Sequence, residues 1–247
     1  IYTVVASKDF FKDKLKLKAE YSIADNKDDN LTARIELRPF GSYSVYTGYS
    51  LVNDSEGKSD KVVFGQNYQV TKDFGIYSEH QLLKDPDARS TIEAYGISYK
   101  VKDNYTLGIA YQQGVVNENA GESYKRRAVS LSSSYDKSKF KLTNKFEYRI
   151  DNKSSLNEET YVTTNGFSVR LTDSLRGLAN FDYSISRDRE TDETIERYSE
   201  ANVGFAFRPV TNNRLAILGR YRNIQQEDKT SRTNVTDQKK EIFEAEV

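Results

Sequence analysis

The sequence predicts an all-β protein: an antiparallel sheet of long strands, able to cross a membrane as a closed β-barrel. Three observations predict it. Apolar and polar residues alternate over runs of about a dozen residues, longer than the ~5–6 residues usual in a soluble sheet. The runs are separated by polar turn segments, with tight turns recurring roughly every 30–38 residues. No apolar stretch reaches the ~18 residues that a membrane helix needs.

The segment Tyr161–Ser186 shows the pattern most clearly. In its second run, Leu175, Gly177, Ala179, Phe181, Tyr183 and Ile185 share one parity, against Arg176, Asn180, Asp182, Ser184 and Ser186, with Leu178 the one intruder. In its first run, Tyr161, Phe167, Val169 and Leu171 oppose Thr164, Gly166, Ser168 and Arg170. Successive side chains on a strand point to opposite faces, so each run has one apolar and one polar face. Thr172-Asp173-Ser174 is the turn between them.

The remaining elements follow in order. A weak opening strand, Tyr2 to Ser7, ends in the turn Lys8–Asp13. Leu15, Leu17, Ala19, Tyr21 and Ile23 then oppose Lys14, Lys16, Lys18, Glu20 and Ser22. A helix would scatter those lysines around its circumference and leave no apolar stripe. After the acidic loop Ala24–Asn30, Leu31, Ala33, Ile35 and Leu37 oppose Arg34, Glu36 and Arg38. Pro39-Phe40-Gly41 turns the chain into Tyr43, Val45, Thr47, Tyr49 and Leu51, set against Ser44, Tyr46, Gly48 and Ser50. Past the loop Asn53–Asp60 come Val62, Phe64, Tyr68 and Val70, the turn Thr71–Asp73, and a less regular strand with Phe74, Ile76, His80 and Leu82.

Lys84–Ser90 is the next loop. Tyr95 to Val101 and Tyr105 to Tyr111, including Ile109, then flank the turn Lys102–Asn104. After Gly114–Tyr124, Val129, Leu131 and Tyr135 lead through Asp136–Ser138 to Phe140, Leu142, Phe146, Tyr148 and Ile150. Lys141, Lys145, Glu147 and Arg149 oppose that last set. Asp151–Glu159 and Arg187–Glu196 are loops on either side of the first hairpin described. Ala201, Val203, Phe205 and Phe207 oppose Glu200, Asn202, Gly204 and Arg208. After the turn Pro209–Asn213, Leu215, Ile217, Gly219 and Tyr221 oppose Arg220 and Arg222. Gln225–Gln238 is expected to be the longest loop, and Phe243, Ala245 and Val247 begin a last strand. The sum is about 14–16 or more strands, with short turns alternating with longer loops.

Composition narrows the function. With 30% charged residues and a mean hydropathy of −0.77, a helical membrane protein is excluded. A barrel tolerates that polarity, because only alternate residues face lipid. Eighteen Tyr and 12 Phe supply interfacial rings. The absence of Cys removes disulfides, thiol catalysis and thiolate metal sites. Only three prolines suit long strands, and a formal net charge of zero gives no basis for nucleic-acid binding.

Alternating runs, turns sorted by length and aromatic strand ends together make the whole chain resemble the Gram-negative outer-membrane β-barrel superfamily. The resemblance is architectural. It implies a single barrel domain over residues 1–247, short periplasmic turns, longer extracellular loops and location in the bacterial outer membrane, among membrane lipid and lipopolysaccharide. No cofactor is expected, and without a second catalytic anchor beside His80 no enzymatic activity is expected either. A count of roughly fifteen strands, odd where such barrels are even, with the start at Ile1-Tyr2-Thr3 and the end at Glu244-Ala245-Glu246-Val247, predicts that sequence is missing at one or both ends.

On this reading, Leu15, Leu17, Tyr43, Tyr49, Phe64, Tyr105, Ile109, Phe146, Phe181, Tyr183, Phe205 and Ile217 face lipid. Lys14, Lys16, Lys18, Arg34, Arg38, Lys141, Lys145, Arg149, Arg170, Arg176, Arg208, Arg220 and Arg222 line the lumen, with Glu147 and Asp182 among the opposing acids. Lys100 and Arg126 join the bases, and Glu20, Glu36, Glu79 and Glu200 the acids. The inward excess of roughly nine positive charges biases a water-filled pore toward anions. The expected function is a porin-like pore, or the membrane channel of an envelope or secretion assembly. An outer-membrane anchor or adhesin acting through its loops is an alternative, as is a soluble β-rich surface protein. The acidic loops lack an EF-hand register. His80 has no second catalytic anchor in the sequence, since its neighbour Glu79 points to the other face.

Overall fold

A computed structural model describes residues 2–12, 14–23, 29–54, 57–119, 121–154, 156–209, 216–231 and 234–246. The described chain is strand throughout its regular parts: β1 Tyr2–Phe10, β2 Leu15–Ile23, β3 Asp29–Phe40, β4 Tyr43–Asp54, β5 Gly57–Gln69, β6 Phe74–Lys84, β7 Ala88–Lys102, β8 Tyr105–Glu118, β9 Ser123–Lys137, β10 Phe140–Asn152, β11 Asn157–Arg170, β12 Leu175–Asp188, β13 Thr194–Phe207, β14 Ile217–Ser231 and β15 Asn234–Glu246. The strands form one 15-stranded antiparallel sheet in sequence order. They run from 9 residues in β1 to 15 in β7. A tilted strand crosses a bilayer with about 9–11 residues, so every one is long enough.

The strands extend well past the apolar runs. The segment Gln225–Gln238, expected as the longest loop, is largely ladder: Gln225 pairs with Lys239, Gln226 with Gln238 and Glu227 with Asp237. Asp151–Glu159, Gly114–Tyr124, Lys84–Ser90 and Asn53–Asp60 are likewise mostly absorbed into strands, and Arg187–Glu196 by half. The reason is that a ladder is held by backbone hydrogen bonds, which polar side chains do not interrupt. The segments read as long loops are therefore polar strand extensions beyond the apolar band. At the other end, β13 stops at Phe207 and β14 starts at Ile217, where a tight turn was expected. Of that turn and the run after it, Val210 to Leu215 lie outside the described residues, as do Ala24–Asp28 and Val247.

The chain divides into two compact units: Ile1–Tyr99 with Ala110–Arg127 and Asn152–Ser154, and Lys100–Ile109 with Ala128–Asp151 and Ser155–Val247. In the first unit, register carries one row of side chains across five ladders: Lys16, Glu36, Tyr46, Gly65, Glu79 and Ala94. The row beside it is Leu17, Ile35, Thr47, Phe64, His80 and Glu93. In the second unit, Thr164, Asp182, Glu200, Ile224 and Lys240 form one row, and Asn165, Phe181, Ala201, Asn223 and Glu241 the next. Directly opposite residues share a face, so each unit has a charge-rich face and a second face that carries its exposed apolar residues, interspersed with polar ones such as His80, Glu93, Asn165, Asn223 and Glu241.

Neither unit has a conventional core. Among the described residues no large side chain is fully buried. Leu17, Ile35, Phe64, Tyr95, Ile97, Ile109, Leu131, Phe146, Phe181, Val203 and Phe205 are all exposed. Soluble proteins rarely expose contiguous apolar surface above a few hundred Å². This apolar face requires a nonaqueous neighbour, which argues against a soluble single-layer sheet.

Candidate functional site: the polar face

The polar face is built by strand alternation and then wired across strands. In the first unit, Glu36 accepts from Arg38 Nε at 2.8 Å and lies 3.7 Å from Arg34 Nη2. The Arg34 guanidinium also stacks 3.9 Å from the centre of the Tyr46 ring. Tyr46 spans the intervening strand and donates its hydroxyl to Glu79 Oε2 at 2.6 Å. It can do so because Gly65 stands between them: any Cβ there would run into the Tyr46 ring. Tyr77 lies over Gly96 in the same way, one strand pair further on. Glu79 also accepts from Gln81 Nε2. Lys18 pairs with Glu20 at 3.0 Å.

In the second unit, Glu147 sits between Lys145 Nζ at 2.8 Å and Arg149 Nη2 at 2.7 Å, and is only 5% exposed. Arg222 grips both oxygens of Glu200 at 2.6 and 2.9 Å, while Tyr198 donates to Oε2 at 2.6 Å. Arg220 Nε pairs with Glu244 at 2.9 Å. Thr160 and Ser186, both buried and directly opposite, share a hydrogen bond of 2.9 Å. Asp182 faces Glu200 across the β12–β13 ladder, and its buried Oδ1 has no hydrogen-bond partner. In the turn after β7, the Lys100 ammonium 2.8 Å away holds the Asp103 carboxyl below its ordinary range.

Each residue expected on a given face can now be placed. Lys16, Lys18 and Arg34, with Arg38 near the end of β3, lie on the polar side of the first unit. Lys14 stands in the turn before β2. Lys141, Lys145, Glu147 and Arg149 alternate on β10, and Arg170, Arg176, Asp182, Arg220 and Arg222 share rows in the second unit. Arg208 follows β13 and continues its ladder by bonding Ser174 O from its backbone N at 2.8 Å. On the apolar face, Leu17, Tyr49, Phe64, Ile109, Phe146, Phe181 and Phe205 are exposed. Leu15, Tyr43, Tyr105, Tyr183 and Ile217 are half-buried.

The face differs from the sequence expectation in two respects. The strand extensions bring further acids onto the polar side: Glu118, 3.9 Å from Lys153, and Glu196 and Glu244. These segments are expected as loops, so the ladder adds charges of both signs, Lys153 and Lys240 among them, to those assigned by parity. In addition, Ile92 and Ala94 pair with Gln81 and Glu79, which puts them on the polar face, and both are buried. Val116 and Tyr124 are buried as well. The sequence carried one signal for the cross-strand bridge, a Tyr and a Gly on the same face of adjacent runs, but only register pairs them.

His80 stands directly opposite Glu93 on the apolar face, beside Phe64. Glu93 instead accepts from Tyr95 at 3.2 Å and Gln113 at 3.1 Å. Among the described residues, no group of three or more His, Cys, Asp or Glu side chains is placed to hold a metal ion.

Against this geometry, known proteins give a consistent answer. No protein-family model matches the chain, and no curated protein does. Solved structures do. The outer-membrane-expressed OmpT of Vibrio cholerae superposes with a TM-score of 0.58 at 8% identity, over 96% of this chain and 97% of that one. The outer membrane channel DcaP of Acinetobacter baumannii gives 0.57 at 11% identity, over 92% and 86%. An anion-selective porin from Comamonas acidovorans gives 0.53 at 10% identity, over 99% and 96%. The fold is that of the outer-membrane β-barrels. Identities this low establish architecture alone, and that architecture agrees with the resemblance drawn from alternation and turn spacing.

Proposed function

We propose that the protein is a porin-like channel of the bacterial outer membrane, with its water path along the polar face and a preference for anions. The observation that carries this reading is the division of the sheet. One face exposes Leu, Ile, Phe and Tyr with nothing to cover them but lipid, and the other is lined by hydrogen-bonded charges suited to water. The strand number supports it, because barrels of about 16 strands leave an aqueous channel that side chains cannot fill. The channel and the anion-selective porin among the similar structures support it further.

Anion preference rests on the turn-side half of the polar face. There Lys14, Lys16, Lys141, Arg170, Arg176 and Arg208 form no ion pair among the described residues. On this reading the chain is one domain, surrounded by outer-membrane lipid and lipopolysaccharide, and not an enzyme. A role as the channel of a larger envelope or secretion assembly is compatible with the same pore. The test is reconstitution of the full-length protein in planar bilayers under a KCl gradient. A conductance whose reversal potential favours chloride supports the proposal. Cation preference, or silence of a correctly inserted barrel, overturns it.

A further inference from the structure

The second unit gathers three arginines where the sheet gains nothing from them. Arg170 and Arg176 are directly opposite on β11 and β12. Arg176 is opposite Ala206, and Arg208 lies one same-face position beyond Ala206 on the continued β13 ladder. Opposed Cβ atoms are about 5 Å apart and diagonal ones about 7–8 Å, so Arg176 stands between Arg170 and Arg208 at spacings that long side chains can bridge around one anion. Arg170 also donates its backbone N–H to Lys139 O at 2.6 Å, which sets the turn before β10, and the start of β10 with Lys141, beside the end of β11. All three arginines are exposed on the polar side.

Like charges directly opposite on a ladder are destabilising. Elsewhere on this face the pattern is the reverse: Glu147 lies between two cations, and Arg220 and Arg222 are each held by a glutamate. Among the described residues, Arg170, Arg176 and Arg208 have no carboxylate within ion-pair distance, and Asp173 in the intervening turn bonds to none of them. On β12 and β13 the nearest acids of this face, Asp182 and Glu200, lie six register positions from Arg176 and Ala206, about 20 Å, and Glu246 shares the Arg176–Ala206 row two strands beyond Ala206, about 10 Å. A cluster that costs stability and lacks internal neutralisation is shaped for an external anion. The arginine fork matches phosphate and carboxylate oxygens in bidentate geometry. Three cations call for an anion of more than one charge, and a phosphoryl group carries about −1.5 to −2 at neutral pH.

We propose that Arg170, Arg176 and Arg208 form a phosphoryl-binding site on the polar face beside the β11–β12 turn, with Lys141 as its outer cation. The site rests on the reading of this face as open to water. It takes a free phosphate or diphosphate group or, if the face meets headgroups at that end, the phosphate of a lipid.

The test is isothermal titration of the full-length protein, folded in nonionic detergent, with inorganic pyrophosphate, and separately with short-chain phosphatidylglycerol below its micellar concentration. Pyrophosphate binding identifies a soluble ligand. Binding of the lipid alone identifies a headgroup site. In either case Arg170→Gln and Arg176→Gln should each weaken binding roughly tenfold, the cost of one charge-assisted contact. The double variant should weaken it more than a hundredfold, and Arg189→Gln, beyond the far end of β12, should leave it unchanged. Both single variants should also fold at least as well as wild type by heat-modifiable gel migration, because they relieve repulsion. A merely structural cluster would lose stability instead. The site is refuted if neither probe binds, or if the double variant binds as wild type does. Binding with no conductance in bilayers would defeat the channel reading and keep the site; anion-selective conductance without binding would do the opposite.

Discussion

Replacing Gly65 with Ala tests the cross-strand bridge through the sign of its effect. A Gly inside a strand is ordinarily worth about 0.5–1 kcal/mol less than Ala, so the substitution should stabilise an unremarkable strand. Here the added methyl displaces the Tyr46 ring. The ring then loses its 2.6 Å hydrogen bond to Glu79, worth about 1.5–3 kcal/mol as a bond to a charged group. It also loses the Arg34 guanidinium stacked at 3.9 Å, worth about 0.5–1 kcal/mol on a half-exposed face. Glu79 keeps Gln81, so its charge is not stranded. The balance is a net loss of about 1–3 kcal/mol. The assay is equilibrium urea unfolding of the refolded protein in lipid vesicles, followed by far-ultraviolet circular dichroism because the chain has no Trp. In a Tyr46→Ala background the clash is gone, and Gly65→Ala should be neutral or stabilising. A coupling below about 0.5 kcal/mol in that double-mutant cycle would refute the bridge, as would stabilisation by Gly65→Ala alone.

Three other outcomes follow from the same geometry. Glu147→Gln releases Lys145 and Arg149 from their shared acid; it should shift the bilayer reversal potential toward stronger anion preference and cost about 1–3 kcal/mol in urea unfolding. Asp182→Asn removes a carboxylate that faces Glu200 and has an unpartnered buried oxygen, while an amide there can still accept from Thr164, so stability should hold or rise by up to about 1 kcal/mol, and a clear loss in the same unfolding assay would contradict this. Phe181→Arg places a charge on the exposed apolar face and should cost about 2–4 kcal/mol in lipid, whereas the adjacent Asn180→Arg on the polar face should cost little; equal costs would contradict the division of faces.

How much of this was legible in the sequence depended on the range of the interaction involved. The two faces of β12 could be read from Leu175 to Ser186 alone, because alternation is a local property and the register with β11 and β13 keeps it. The strand ends could not. Gln225, Gln226 and Glu227 resemble a solvated loop in composition, and only their ladder with β15 makes them strand. Ile92 and Ala94 broke the simple rule, since apolar residues there occupy the polar side and are buried on it. The candidate site was half legible. The bases on β10, β12 and β14 could be assigned to one face by parity, but which acid neutralises which base could not, because Glu200 and Arg222 are joined only across β13 and β14. The bridge from Arg34 through Tyr46 to Glu79 spans β3 to β6, and the arginine cluster needs β11, β12 and the end of β13 together. Local pattern gives faces; register gives chemistry.

The central claim is that one face of this sheet meets lipid and the other meets water. The absence of cysteine makes a direct measurement possible, because single cysteines can be introduced one at a time without background labelling. Nitroxide labels at positions 178 to 185 of β12, in the protein reconstituted in lipid vesicles, would report relaxation by oxygen and by a water-soluble nickel chelate. The account predicts two-residue alternation: oxygen accessibility peaking at 179, 181 and 183, nickel accessibility at 178, 180, 182 and 184, and the buried position 185 low in both. Equal lipid exposure at 181 and 182, or nickel accessibility on both faces, would contradict it.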